Sequence, residues 1–162
     1  MNDRKIGLIG YGSIGKTIER NLSGFDVEVI PFNRSGSDGA RKISELDQSL
    51  ATLDVVILIL PLNDESRKMF DAARLAKMKD GAFIVNTSRG GVVVESDLLD
   101  ALNSGKVAGA ALDVFENEPI PSKAILEHPK ISLTPHIGAS TNEAQERVGE
   151  EVADKLIAFF KK

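Results

Sequence analysis

The chain has no cysteine, which excludes disulfides, thiolate metal sites and cysteine nucleophiles together. It also lacks a long hydrophobic run. The longest uninterrupted apolar stretch, residues 55–62, is eight residues long and includes Pro61, whereas a membrane helix needs about 20. The first apolar stretch near the N-terminus is short and broken by glycines, unlike a secretory signal. Neither charge sign dominates. Twenty basic against 24 acidic residues give a net charge of −4, which argues against a general nucleic-acid surface. No repeat, low-complexity tract or linker interrupts the sequence. What is present is 162 residues, 42% apolar and 27% charged, the composition of one globular domain. The expectation is a soluble cytoplasmic domain with no metal site and with neither nucleic acid nor membrane as partner.

Short apolar runs alternate with helical periodicity. Strands are expected over residues 5–10, 27–30, 54–60, 82–86, 107–114 and 131–134, with Pro31 at the end of the second. Between them Ile14, Ile18 and Leu22 fall on one helical face, and further helices are expected over 43–50, 71–78 and from Ser96 to about residue 102. Asn63 can cap a turn. Ser140 and Glu143 form a capping box for a final helix whose apolar stripe is Ala144, Val148, Val152 and Leu156. Apolar strands alternating with helices predict an α/β fold, a doubly wound parallel sheet with helices on both faces. In such sheets ligands bind outside the carboxyl ends of the strands.

Gly10-Tyr11-Gly12-Ser13-Ile14-Gly15 follows the first strand and opens the first helix. That is the context a dinucleotide-binding GxGxxG requires. Gly10 permits the tight turn, Gly12 the approach of a pyrophosphate, and Gly15 close packing of helix on strand. The helix N-terminus then presents N–H groups to the anion. An NAD site usually carries an acid at the end of the second strand. Here that end reads Asn33-Arg34-Ser35, and Asp26 and Glu28 come too early. A guanidinium binds a 2′-phosphate through charge-assisted hydrogen bonds, and Arg41 could assist. NADP(H) is therefore favoured and NAD(H) remains open.

Three residues follow three successive strands: Arg89 in Asn86-Thr87-Ser88-Arg89-Gly90-Gly91, Glu118 before Pro119, and His136 in Thr134-Pro135-His136-Ile137-Gly138. A parallel sheet brings their loops to the edge that carries the glycine loop. The trio suits hydride transfer to a 2-keto acid. Arginine grips the substrate carboxylate through its planar fork. The imidazolium gives a proton to the carbonyl oxygen, and the neighbouring carboxylate keeps the imidazole charged. Taken singly, each also reads as an ordinary loop residue. His128 reads as a surface residue.

Gly10 to Gly15, Leu60-Pro61-Leu62, the run from Asn86 to Gly91, Ala111-Leu112-Asp113-Val114-Phe115 with Glu118-Pro119, and the His136 segment together resemble the D-isomer-specific 2-hydroxyacid dehydrogenases, in order along essentially the whole chain. The resemblance implies that Arg89 binds the substrate carboxylate, that His136 is the acid/base, and that Glu118 is its partner. It further implies that Ser13 and Ile14 meet the pyrophosphate and that Leu60 and Pro61 border the adenosine half. Thr87 with its neighbour Ser88 would line the nicotinamide ribose side, and Asp113 and Gly138 would lie at the carboxamide. Asn33-Arg34-Ser35 resembles the NADP-preferring members. Family enzymes are roughly twice this length and have two domains. The expectation is that residues 1–162 are the cofactor domain and that the substrate domain is absent. Three readings stay open: an isolated cofactor domain, a reductase that completes its cleft as an oligomer such as a homodimer, and a non-catalytic dinucleotide-binding or sensing module.

Overall fold

The structure is a computed structural model and describes residues 3–161. Seven strands form one parallel sheet: β1 (Arg4–Ile9), β2 (Val27–Asn33), β3 (Arg41–Lys42), β4 (Val55–Leu58), β5 (Ala82–Asn86), β6 (Val107–Leu112) and β7 (Ile131–Leu133). Their order is β3-β2-β1-β4-β5-β6-β7. The chain leaves β1 toward one side of the sheet and later returns to pair β4 on the other. The carboxyl ends of β1 and β4 therefore flank the crevice where such sheets bind ligands. The helices are α1 (Ser13–Leu22), α2 (Leu46–Ser49), α3 (Ala72–Lys77), α4 (Glu95–Asn103), α5 (Lys123–Leu126) and α6 (Asn142–Phe160).

Register divides the sheet into two faces. Ile9, Val56, Leu58, Ile84, Ala110 and Leu112 share one face and are buried. They pack with Leu46 and Leu50 of the α2 region, Leu75 and Met78 at α3, Leu98 and Leu102 of α4, and Ile125 of α5 in a single core. Ile6 and Leu8 point to the other face and are also fully buried, on the side of α1. Farther along that second face Val55, Ile57 and Val85 are half-buried and Phe83 is 51% exposed. The final helix does not cover them. No residue of α6 is buried, and Val148, Val152 and Leu156 are each more than half exposed.

The fold follows the expected alternation, with local departures. Pro31 lies inside β2 and pairs with Leu8, not at the strand end. The Phe32 carbonyl accepts from Gly10 N–H toward β1, so Pro31 faces the opposite edge, which β3 covers only from Phe32 onward. A missing donor costs nothing there. β3 has two residues and carries no periodicity to detect. Residues 43–52 form a 3-10 turn, one turn of α-helix and another 3-10 turn, not one helix. α4 begins at Glu95, ahead of Ser96, because a distant carboxylate, Glu116 Oε1, accepts from Glu95 N–H. Thr141, not Ser140, caps α6, its hydroxyl accepting from Ala144 N–H at 3.1 Å. Ile14 is 65% exposed, so the apolar face of α1 does not begin there. His128 is half-buried, its Nε2 against Asn103 Oδ1 at 3.3 Å.

Asp54, at the opposite edge from the glycine loop, fastens the start of the sheet. Its carboxylate accepts from Lys5 N–H (2.8 Å), Lys79 Nζ (2.6 Å) and Arg4 Nη1 (3.2 Å) and is 8% exposed. The Lys5 backbone bond first, then the lysine and arginine, outweigh burial and lower its pKa from 3.8 to about 2. A carboxyl depressed on folding stabilises the fold above its unfolded pKa and loses that contribution as pH falls through the folded value. Asp54→Ala is therefore expected to cost about 2 kcal/mol at pH 7. Urea midpoints of wild type and variant should converge between about pH 4 and pH 2. A gap as wide at pH 2 as at pH 7 refutes the assignment.

Candidate functional site

Three openings lie along the carboxyl edge of the sheet. The first is a cleft of about 610 Å³ between the ends of β1, β2 and β4, lined by Gly10, Gly12, Asn33, Arg34, Leu60 and Pro61 among others. Gly10 has φ +106°, and a Cβ there would strike the carbonyl of Ile59. Only glycine serves at this crossing. A Cβ on Gly15 would come within 2.6 Å of the Gly10 carbonyl oxygen, whereas one on Gly12 would meet nothing within 4 Å. The first and third glycines thus serve the fold, and the second faces open space. Ser13 and Ile14 stand exposed at the start of α1, whose first N–H groups have no side-chain cap.

Asn33 does not point into the cleft as a free group. Its Oδ1 accepts from Gly36 N–H (2.6 Å) and Ser37 N–H (3.3 Å), and its Nδ2 donates to the Ser37 carbonyl (2.9 Å). The side chain that stands in the position of an acid instead ties residues 33–37 into a turn. Ser35 Oγ lies 2.7 Å from Ser37 Oγ within it. Arg34 projects from this turn and meets Glu65 Oε2 at 3.1 Å. Arg41 turns toward Ser49 instead.

The second opening is a hollow of about 110 Å³ at the ends of β5, β6 and β7, lined by Thr87, Asp113 and Thr134 among others. Burial pushes the Asp113 carboxyl up. The Thr134 hydroxyl, the Ile137 and Gly138 N–H groups and the charge of His136 outweigh it and hold the carboxyl below its ordinary range. Asp113 thereby anchors the turn that carries His136, through bonds of 2.9 Å from Ile137 N–H and 3.1 Å from Gly138 N–H. Ser88 is buried, and its hydroxyl donates to Asn86 Oδ1 at 2.7 Å. Its side chain braces the loop and does not line the hollow.

The third opening, about 350 Å³, has Glu118 and His136 on its wall with apolar Phe115, Leu126 and Leu133. His136 Nδ1 is 2.7 Å from Glu118 Oε2, and Glu118 Oε1 accepts from Phe115 N–H at 3.0 Å. The imidazole bond first, then the Phe115 N–H, keep the Glu118 carboxyl below its usual range, and the charges of His136 and Arg89 add to them. With Nδ1–H donating to Glu118, Nε2 is left for other chemistry. Arg89 is exposed. Its Nη1 donates to the Ser88 carbonyl at 2.6 Å, close enough to Glu118 for its charge to act but not bonded to it among the described residues.

Several supporting residues carry no motif of their own. Asn86 accepts from Ser88 N–H (3.1 Å) and donates to the Arg89 carbonyl (3.1 Å), shaping the arginine loop. An Asn two residues before a Ser could have signalled that turn. Glu95 and Glu116 clamp one another's backbone: Glu116 N–H donates to Glu95 Oε1 (2.8 Å), and Glu95 N–H to Glu116 Oε1 (3.2 Å). Burial pushes the Glu95 carboxyl up, and the Glu116 charge adds to the rise. A Cβ on Gly90 would overlap the Phe115 carbonyl, so the loops after β5 and β6 touch backbone to backbone. Nothing local in the sequence signals either contact.

Among the described residues no helix is long and apolar enough to cross a membrane. Residues 1–138 match the D-isomer specific 2-hydroxyacid dehydrogenase, NAD binding domain. The glyoxylate reductase of Pyrococcus furiosus is 40% identical over 161 residues, covering 96% of this chain and 48% of its own length. A glyoxylate reductase structure from Paecilomyes thermophila superposes with a TM-score of 0.91 at 40% identity, over 99% of this chain and 50% of that one. An NADPH-dependent glyoxylate/hydroxypyruvate reductase from Sinorhizobium meliloti, in complex with NADP and malonate, gives a TM-score of 0.91 at 33% identity over 99% and 51%. The chain spans about half the length of these relatives. It belongs to the D-isomer-specific 2-hydroxyacid dehydrogenase family, and the part of that family it matches is the NAD-binding domain.

Proposed function

We propose that residues 1–162 form the cofactor domain of an oxidoreductase that interconverts a small 2-keto acid and a D-2-hydroxy acid, with NADP(H) preferred over NAD(H). The observation that carries the reading is the Glu118–His136 contact on the sheet edge that also bears the glycine loop. The cleft suits a dinucleotide. It has a glycine turn whose second glycine opens on free space, an uncapped helix N-terminus for a pyrophosphate, and a guanidinium where a 2′-phosphate would lie. A bound nicotinamide would supply or accept the hydride. The chain's part is positioning and proton transfer. Arg89 would hold the substrate carboxylate. His136 Nε2 would give its proton to the carbonyl oxygen in reduction and recover it in oxidation. Glu118 would fix the ring through Nδ1 and stabilise its charge. Thr87, Asp113 and Gly138 would border the nicotinamide half.

The relatives named glyoxylate reductase support a short 2-keto acid as substrate, and the Sinorhizobium enzyme's NADP supports the cofactor preference. A sensing module that has lost its chemistry fits less well, because the imidazole and its carboxylate still touch. The test is a titration with NADPH and NADH followed by the fluorescence of the reduced nicotinamide, then addition of glyoxylate. Both cofactors are expected to bind, NADPH more tightly. Failure of both to bind overturns the reading.

A further inference from the structure

We propose that Glu65 sets the cofactor preference of the large cleft by competing with a 2′-phosphate for Arg34. The inference rests on the reading that this cleft takes the adenosine half of a dinucleotide. Arg34 and Glu65 both line it, one from the turn after β2 and the other from the turn after β4, and their ion pair joins the two turns at 3.1 Å.

Neither turn is loose. Asn33 ties the first through Gly36 and Ser37 N–H. In the second, Asn63 Oδ1 accepts from Glu65 N–H and Ser66 N–H, both at 3.0 Å. Ser66 is 3% exposed, and its hydroxyl donates to the Pro61 carbonyl (2.6 Å) and accepts from Asn63 N–H (2.9 Å). The backbones under the two charges are thus set before any ligand arrives. The side chains themselves are 74% and 69% exposed, so the pair adds little to stability, and its effect falls on what Arg34 can bind.

The consequence differs for the two cofactors. A 2′-phosphate must displace the Glu65 carboxylate from Arg34 or share the guanidinium with it, which sets a dianion beside a carboxylate. A 2′-hydroxyl meets no such opposition and can donate to a Glu65 oxygen. That is the part an acid at the end of β2 plays in NAD sites. Here the end of β2 is Asn33, whose carboxamide is spent on its own turn. Glu65 thus holds back NADPH and favours NADH, against the pull of Arg34.

The experiment measures Kd for NADPH and NADH on the full chain at low ionic strength, in wild type, Glu65→Gln and Arg34→Ala. Glu65→Gln is expected to raise the preference for NADPH, Kd(NADH)/Kd(NADPH), by about three- to tenfold. Its melting temperature should be unchanged, since the side chain is 69% exposed. A ratio that stays within twofold of wild type, or falls, overturns the proposal. Arg34→Ala tests whether Arg34 binds the 2′-phosphate and is expected to lower the ratio by about tenfold. If Arg34→Ala leaves the ratio at the wild-type value, Arg34 is no phosphate ligand, and this proposal falls together with the NADP(H) preference; loss of binding of both cofactors is what overturns the cleft reading. If Arg34→Ala lowers it and Glu65→Gln does not raise it, only the role of Glu65 is lost.

Discussion

Gly90→Ala is expected to lower the thermal midpoint by about 6–12 °C, from a loss of about 3 kcal/mol and a slope of about 2–4 °C per kcal/mol for a chain of this size. The cost is steric. Gly90 is not among the residues with positive φ, so alanine suits its backbone, but the added methyl would overlap the Phe115 carbonyl. The obstacle is main chain held by the Glu95–Glu116 clamp and by Glu118 on Phe115 N–H, so no rotamer change relieves it. The loop after β6 must move as a body, and Glu118 with it. Gly12→Ala is the matching control. Its methyl would meet nothing within 4 Å, so the midpoint should hold while cofactor binding weakens. Equal melting of Gly90→Ala and wild type would show that the two loops yield easily, against the close contact described.

The second large effect is chemical. On the proposed function, His136→Ala should slow any glyoxylate-dependent oxidation of NADPH by about 10²- to 10⁴-fold, the range for removing a general acid. NADPH affinity should stay within about twofold, because His136 lies on the opening shared with Glu118 and not on the cleft of Gly10 and Arg34. Single-turnover absorbance separates the two quantities. Undiminished turnover in the variant would falsify the proton-transfer role. A parallel fall in cofactor affinity would mean that His136 supports the cleft rather than the chemistry.

Much of the fold was legible because its signals are periodic or local. Apolar runs alternating with helical stripes specify a parallel sheet whatever the detail of the loops, and Gly10, Gly12 and Gly15 mark the first crossover by their spacing. Asn63 capped its turn as its side chain allows. What escaped depends on distant partners. Ser96 is a sound local cap, but Glu116, twenty residues on, supplies a carboxylate one residue earlier and the helix starts there. Pro31 reads as a strand end until the sheet order shows that its missing donor faces a nearly free edge. At the site, residue types at strand ends indicated which groups share an edge. They could not indicate that Asn33 and Ser88 turn inward to hold their own loops, or that Glu65 stands against Arg34. Those outcomes depend on which hydrogen bond a side chain finds first, and loop sequences carry little trace of it.

The unpacked α6 has a consequence for how the protein opens. Its 19 residues rely on the Thr141 cap and the Glu151–Lys155 pair, with no buried side chain to link them to the sheet. A helix of this length held only by local interactions is marginal in water. Its amides should therefore exchange with solvent through local fraying at little free energy, while those of β1 and β4 exchange only when the whole sheet unfolds. A ligand or protein bound over Val148, Val152 and Leu156 would join the helix to the sheet in one cooperative transition. Protection of the α6 amides would then report that binding.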